Sequence, residues 1–375
     1  IVFSGTVKGS SNTTSYDLSL STSGSGITFN RSVGGLNERI GILYVSSPGS
    51  IVFNDDVTVG HLETGATGRT YLNGSKATTT STSSMIFGND VVINSTNFTF
   101  DSTNSGALPS GASITFQKSL SGDSSVVVQA GSSGVVKFQG PVGKDYLSAS
   151  SPLKDLTITS AAQIEISGGA VFTTGAQMYS SPVVINTSAA EFKSTLAGDI
   201  TFAKTLDGAQ AVTITTAGNT RFNDKVGFTT PLTSLTTDTP GTTYINGGLI
   251  QTTSTQTFND AVVVGTAAVA PATVGVTQFV STTNGAITFN SALDGNNDVA
   301  VNTAGNTTFN GKVGFTTALN SLTTDFAGTG KTYINGGLIQ TTSTQTFNDA
   351  VVVGTAAVAP ATVGVTQFVS TTNGA

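Results

Sequence analysis

Ile287-Thr288-Phe289 is the fourth occurrence of one tripeptide, after Ile27–Phe29, Ile114–Phe116 and Ile200–Phe202. The phenylalanines lie 87, 86 and 87 residues apart, so a long period runs through the chain. Each tripeptide is followed by a segment with Val or Leu that closes on glycine, as in Ser291-Ala-Leu-Asp-Gly295. The last two units are near copies: Thr243 to Ala286 recurs without change as Thr332 to Ala375. A fixed period of this kind is the mark of architectures built by stacking.

Shorter echoes divide the long unit. In the third unit they begin at Phe202, Phe222, Tyr244 and Phe258, and in the fourth at Phe289, Phe309, Tyr333 and Phe347. Fainter counterparts lie earlier: Phe53 and Phe138 match Phe222, Tyr71 matches Tyr244, and Phe87 and Tyr179 match Phe258. Each long unit therefore reads as four turns of roughly 22 residues. The segments are short, alternating and β-branched, as in Ala211-Val-Thr-Ile-Thr-Thr216, with Gly, Asn and Asp between them. A sandwich or barrel needs no sequence period. A parallel solenoid does, because equivalent residues of successive turns lie directly over one another. The expected fold is all-β, one continuous parallel β-helix (β-solenoid) over 1–375, with about 22 residues per coil and about 17 coils. Right-handed coiling is expected, as for other parallel crossovers. The long units would be 27–113, 114–199, 200–286 and 287–375, with 1–26 as the end of a preceding unit.

Stacking assigns roles to the recurrent residues. Phe29, Phe53, Phe116, Phe138, Phe202, Phe222, Phe258, Phe289, Phe309 and Phe347 are expected to form the interior ladder. Asn30, Asn54, Asn223, Asn246, Asn259, Asn290, Asn310, Asn335 and Asn348 follow aromatic or aliphatic strand ends. They are expected at corners, with φ > 0 and with each amide paired to the Asn one coil away. Charged residues make up only 10% of the chain, against roughly 25% in an ordinary domain. Like charges stacked at ~4.8 Å would repel, whereas Thr and Ser, which exceed a quarter of the residues, stack without penalty.

The same composition narrows function. A net charge of -6 argues against nucleic acid as a partner. No cysteine is present, so disulfides, thiolate metal sites and thiol catalysis are excluded. His61 is the one histidine. The uncharged stretch from Ala261 to Val280 is too rich in Gly, Thr, Pro and Val for a transmembrane helix. Ala327-Gly-Thr-Gly-Lys-Thr332 ends like a phosphate-binding loop, but Asp325 replaces its first glycine and a strand pattern follows. Asp55 and Asp56, with Asp224 and Lys225 at the matching place, are the nearest approach to the acid clusters of polysaccharide-cleaving β-helices. Phe-Asn-Asp recurs at 258 and 347, however, as a corner would and a unique site would not. The glycine-rich signature of calcium-binding solenoids is missing. No catalytic residue, metal or cofactor is therefore assigned.

Ala304-Gly-Asn-Thr-Thr-Phe-Asn-Gly-Lys-Val-Gly314, Ser321-Leu-Thr-Thr-Asp325 and Thr332-Tyr-Ile-Asn-Gly-Gly337 resemble the repeats of giant bacterial β-strand-repeat surface proteins. These are similar to filamentous-haemagglutinin-type adhesins and autotransporter passengers. The resemblance implies a secreted or cell-surface structural protein, a rigid rod, fibre, sheath or adhesin stalk, and not an enzyme. The expected partners are further copies, end-to-end or side-by-side, and a surface glycan or host-cell ligand. The alternative is a carbohydrate-binding or polysaccharide-cleaving β-helix module, and a viral tail fibre ranks third. In either alternative the irregular stretches Asn37 to Ser50 and Gly140 to Asp155, with Lys144 and Lys154, are where a specific surface would lie. Both ends fall inside a unit, so the chain is expected to be an excerpt of a longer array or to stack head-to-tail.

Overall fold

The computed structural model describes residues 1–10, 14–35, 37, 39–144, 151–187, 189–265, 275–325, 330–354 and 365–372. Among them are 43 strands and no helix, the strand pairs are parallel, and three strands make a turn of a β-solenoid of about 14 turns. The chain divides into two compact units, Ile1–Thr195 and Leu196–Ala375.

In the first unit one face stacks Val2–Phe3, Ile27–Phe29, Ser50–Phe53, Arg69–Leu72, Asp90–Ile93 and Leu120–Ser121. A second runs through Val33–Gly34, Val57–Val59, Lys76–Thr79, Asn97–Asp101, Ser125–Gln129 and Asp155–Ser160. The third runs through Tyr16–Ser21, Ile40–Ser46, His61–Thr64, Met85–Phe87, Ile114–Phe116 and Val135–Phe138. The second unit has the same three-faced plan. Strand after strand alternates buried and half-buried positions, as a pleat with one face inward requires.

The turns are not uniform. Ser50 pairs with Arg69, 19 residues on, whereas Val262 pairs with Leu293, 31 residues on. This corrects the expectation of 22-residue coils and 17 turns. The strands keep register across this variation, apart from irregularities at Tyr16/Leu18 and Val128/Gln129.

The long period also relates differently to the turns than four coils per unit would require. From Ile27–Phe29 to Ile114–Phe116 is a step of 11 strands. From Ile200–Phe202 to Ile287–Phe289 is again 11 positions, counting Val226, which bridges Leu206 and Ile250 as a single residue. Eleven is not a multiple of three, so a long unit spans three and two-thirds turns. Its copy starts one face earlier. Ile200–Phe202 pairs with Asn219–Phe222 on one face, while Ile287–Phe289 lies on the face of Gln256–Phe258. Identical segments follow suit: Gln256–Phe258 pairs with Ser234–Thr237, and its copy Gln345–Phe347 pairs with Ser321–Thr324, on a different face.

The core is a stack of Phe, Ile, Leu and Val. In the last described turn Val351 and Phe368 are 39% and 47% exposed. Their identical counterparts Val262 and Phe279, with a turn on each side, are fully buried. The same residues are thus core only when covered by neighbouring turns. Phe309→Ala is expected to lose about 3–5 kcal/mol, and Phe222→Ala the same. Phe315→Ala, at an exposed phenylalanine of the same unit, should stay within about 0.5 kcal/mol. Thermal or denaturant unfolding of the three variants decides the matter; equal losses would contradict the stacked core.

Candidate functional site

The recurrent aromatics form several short stacks rather than one continuous ladder. Phe3, Phe29 and Phe53 lie face to face at 5.0 and 4.9 Å between centroids. Phe87, Phe116 and Phe138 do so on another face, at 5.4 and 5.3 Å. In the second unit Phe202 stacks on Phe222 at 5.7 Å, and Phe258, Phe289 and Phe309 form a stack at 5.2 and 5.4 Å. Phe347 meets Phe368 edge-on. These four stacks each end on an aliphatic partner: Leu72 over Phe53, Ile166 over Phe138, Ile245 over Phe222 and Ile334 over Phe309. The interruption follows from the one-face shift, because the first aromatic of the next unit falls on a different wall. Phe29 and Phe116, or Phe202 and Phe289, are therefore never stacking partners.

The corner asparagines are hydrogen-bonded in files. Asn54 donates from Nδ2 to Oδ1 of Asn30, Asn73 to Asn54, and Asn94 to Asn73. Asn246 donates to Asn223, Asn290 to Asn259, Asn310 to Asn290 and Asn335 to Asn310. Asn259 and Asn348 direct Nδ2 to the carbonyls of Thr237 and Thr324. Asn73 and Asn94 join a file that sequence reasoning did not extend to them; Asn73, in Leu72-Asn-Gly, carried the signal. None of the nine expected asparagines has positive φ, which corrects that part of the expectation. Their backbone amides instead continue the strand ladder, as Asn54 N–H donates to the Phe29 carbonyl and Asn310 N–H to that of Phe289. Glycine takes most of the left-handed positions, and Asn104, Ser105, Ala197 and Asp325 are the other described residues with positive φ. At Gly295 (φ 134) a Cβ would come within 2.0 Å of the Val264 carbonyl oxygen, a contact only glycine avoids.

The carboxylates considered for catalysis are tied to backbone. Asp56 accepts from the amides of Ser75 and Lys76 and from the Ser75 hydroxyl, and Asp55 accepts from the Asp56 amide. Asp224 accepts from the Lys225 amide. His61 Nε2 lies 3.4 Å from Glu63 Oε2. Of the Gly-Lys-Thr segment, 327–329 lie outside the described residues. Lys331–Ile334 is a strand whose Thr332 donates to Asp349, with no helix after it. Residues 38, 145–150 and 266–274 of the other singled-out stretches also lie outside the described residues. Among the described residues, no group of His, Asp and Glu is arranged to hold a metal ion, and no helix is long and apolar enough to cross a membrane. In the first unit an open cleft of about 570 Å³ is lined by Arg69, Asn94 and Asp123, with Asp123 as its one carboxylate among the described residues.

Sequence reasoning missed a buried polar bridge. Asp260 is buried and accepts from the hydroxyls of Thr237 and Thr243, which flank the corner of the preceding turn. In the first unit Asn89 holds the same place, accepting from Thr64 and Thr70. Burial pushes the Asp260 carboxyl from 3.8 up to about 6 against the pull of the two threonines. Burial likewise pushes Asp325 up to about 6, aided by the neighbouring Asp349 carboxyl. Three glutamines make a second bridge: Gln177, Gln256 and Gln345 each donate from Nε2 to two carbonyls and a threonine hydroxyl. At Gln177 the amide oxygen accepts from Tyr179, but Phe258 stands where that tyrosine would be for Gln256, whose Oε1 is buried without a partner.

No protein-family model, no curated protein and no solved structure matches the chain. The arrangement can therefore be judged only on its own chemistry, which is repeated hydrogen bonding and stacking.

Two outcomes follow from the buried polar groups. Between about pH 4 and 6 folded Asp260 holds a proton that the unfolded chain has released, so stability falls as pH rises through that window. Asp260→Asn should remove its share of this dependence, leaving that of Asp325, and add on the order of 1–3 kcal/mol at pH 7; unfolding measured from pH 4 to 7 tests it. Phe258→Tyr should give the Gln256 oxygen its donor and stabilise by about 1 kcal/mol, a rise in melting temperature that an overpacked ring would reverse.

Proposed function

We propose that the chain is a structural repeat protein of a bacterial surface, working outside the cell as a rigid rod, fibre or adhesin stalk with right-handed coils. One observation carries this reading. Side chains that could do chemistry recur with the repeat and are committed to holding turns together. Asp260 and Asp349 tie their turns to threonines of the preceding one, and Asn30, Asn54, Asn73 and Asn94 file along a corner. A repeated bridge supports the selection of length and stiffness, since each added unit brings its own ties. The low charge and the absence of cysteine fit a protein whose stability comes from stacked parallel strands.

The carbohydrate-binding reading is favoured by one feature, the cleft with Arg69, Asn94 and Asp123 in the more irregular first unit. A glycan's hydroxyls could be met there by paired donors and acceptors. Hydrolysis of the usual kind would call for two carboxyl groups across the bond, and the described lining of that cleft offers one.

The test is to image the purified chain and to incubate it with acidic and neutral polysaccharides. Elongated particles, with no release of reducing or unsaturated ends, are expected. Sugar release that disappears in Asp55→Asn or Asp56→Asn would overturn the structural reading. Glycan binding lost in Arg69→Ala would establish the second reading.

A further inference from the structure

The second unit exposes two large aromatic side chains at equivalent places. Phe228 and Phe315 are 55% and 59% exposed and lie 87 residues apart in Lys-Val-Gly-Phe-Thr-Thr segments. The Nζ of Lys225 sits 3.9 Å from the Phe228 ring centroid, and that of Lys312 sits 4.0 Å from the Phe315 ring. A single exposed aromatic is ordinary. These two are held in place by a dedicated support. Asp207, itself buried, accepts from the amides of Thr229 and Thr230, immediately after Phe228. Asp294 does the same for Thr316 and Thr317. The loop is closed again by Gly208 N–H to the Thr230 carbonyl, and by Gly295 N–H to that of Thr317. Gly227 and Gly314, at φ 69 and 70, leave no room for a Cβ against the carbonyls of Gln251 and Gln340. The chain thus fixes a loop whose outermost side chain is apolar.

Because the long unit steps back one face, the two knobs point from different walls. Val226, just before the first, bridges Leu206 and Ile250; Val313, just before the second, bridges Leu293 and Ile339, one face away. The axial interval is three and two-thirds turns, roughly 18 Å at ~4.8 Å per turn. A flat surface lying against one wall would meet at most one of the two knobs. Neighbours arranged around the solenoid would meet all of them, and a second copy carries knobs at the identical interval. Charge favours the same partner: the knob is cationic, neither lysine has an ion pair among the described residues, and the chain as a whole carries -6.

We propose that Lys225–Phe228 and Lys312–Phe315 form a lateral docking element for further copies of this chain, so that solenoids associate side by side in a bundle with contacts on successive faces. This rests on the structural reading above and names the surface that reading would use. Aromatic side chains, phenylalanine among them, are enriched where protein surfaces meet.

The experiment compares the 375-residue chain with Phe228→Ser/Phe315→Ser and with Lys225→Gln/Lys312→Gln, by sedimentation velocity over a concentration series and by negative-stain imaging. Both residues are exposed, so the melting temperature should hold within a few degrees, and this is checked first. The native chain should form side-by-side assemblies. The Phe pair should need at least tenfold higher concentration to do so, and the Lys pair should lose most of the salt sensitivity of association. Single particles at every concentration, end-to-end growth alone, or unchanged bundling in the Phe pair would each overturn the proposal while leaving the rod reading intact. Knob-dependent binding to hyaluronan or another anionic polysaccharide, without bundling, would overturn it in favour of a glycan contact. Compact, non-elongated particles would remove the reading on which it rests.

Discussion

The vertical spacing of parallel strands governs this molecule. At ~4.8 Å per turn every side chain meets its counterpart on the turns above and below, so each position must tolerate a near copy of itself. Phenylalanine meets the demand inside by offset stacking at 4.9 to 5.7 Å. Asparagine meets it at the corner by donating to one neighbour and accepting from the other. Threonine meets it on the walls, where a charge could not. The composition of the chain is largely the consequence of this one distance.

Much of the fold was legible because stacking writes itself into sequence as a period. The strands, their parallel pairing and the residues inside them could all be read from Phe-Asn and Ile-Asn-Gly recurrences. The turn size could not. Three strands make a turn, and the weakest positions leave no signature: Leu206–Asp207 is two residues long, and Val226 is a single bridge. Passing over such positions makes 87 residues look like four equal turns when they span three and two-thirds. The buried carboxylates were illegible for a related reason. Phe222-Asn-Asp224 and Phe258-Asn-Asp260 are identical words, yet Asp224 lies part-exposed at a corner and Asp260 is sealed between two threonines. What differs is the length of the following loop and the turn it stacks on, and neither is local information.

The same mismatch explains why buried polar groups differ in quality between units. Asn89 satisfies two threonines and a carbonyl with one neutral amide. Asp260 makes the threonine contacts at the expense of a buried carboxyl. Tyr179 answers Gln177, while Phe258 leaves Gln256 half answered. Copying a unit copies its flaws along with its ties. A stack tolerates this, since each turn is held by its neighbours over many strands and no single bridge is decisive.

An 11-strand unit in a three-faced solenoid also constrains how such a chain can grow. If the unit were 12 strands, each wall could specialise, with one kept for contact and another for solvent. With 11, every segment of the unit is placed on a new wall at each copy, and Gln256–Phe258 must serve on one face as Gln345–Phe347 serves on the next. The three walls must then be interchangeable in width, polarity and loop tolerance. That requirement favours small uncharged residues over any residue suited to a particular face, and it lets a duplicated unit join the stack without redesign of what lies beneath it. Neutral walls and near-identical repeats are two expressions of the same arithmetic.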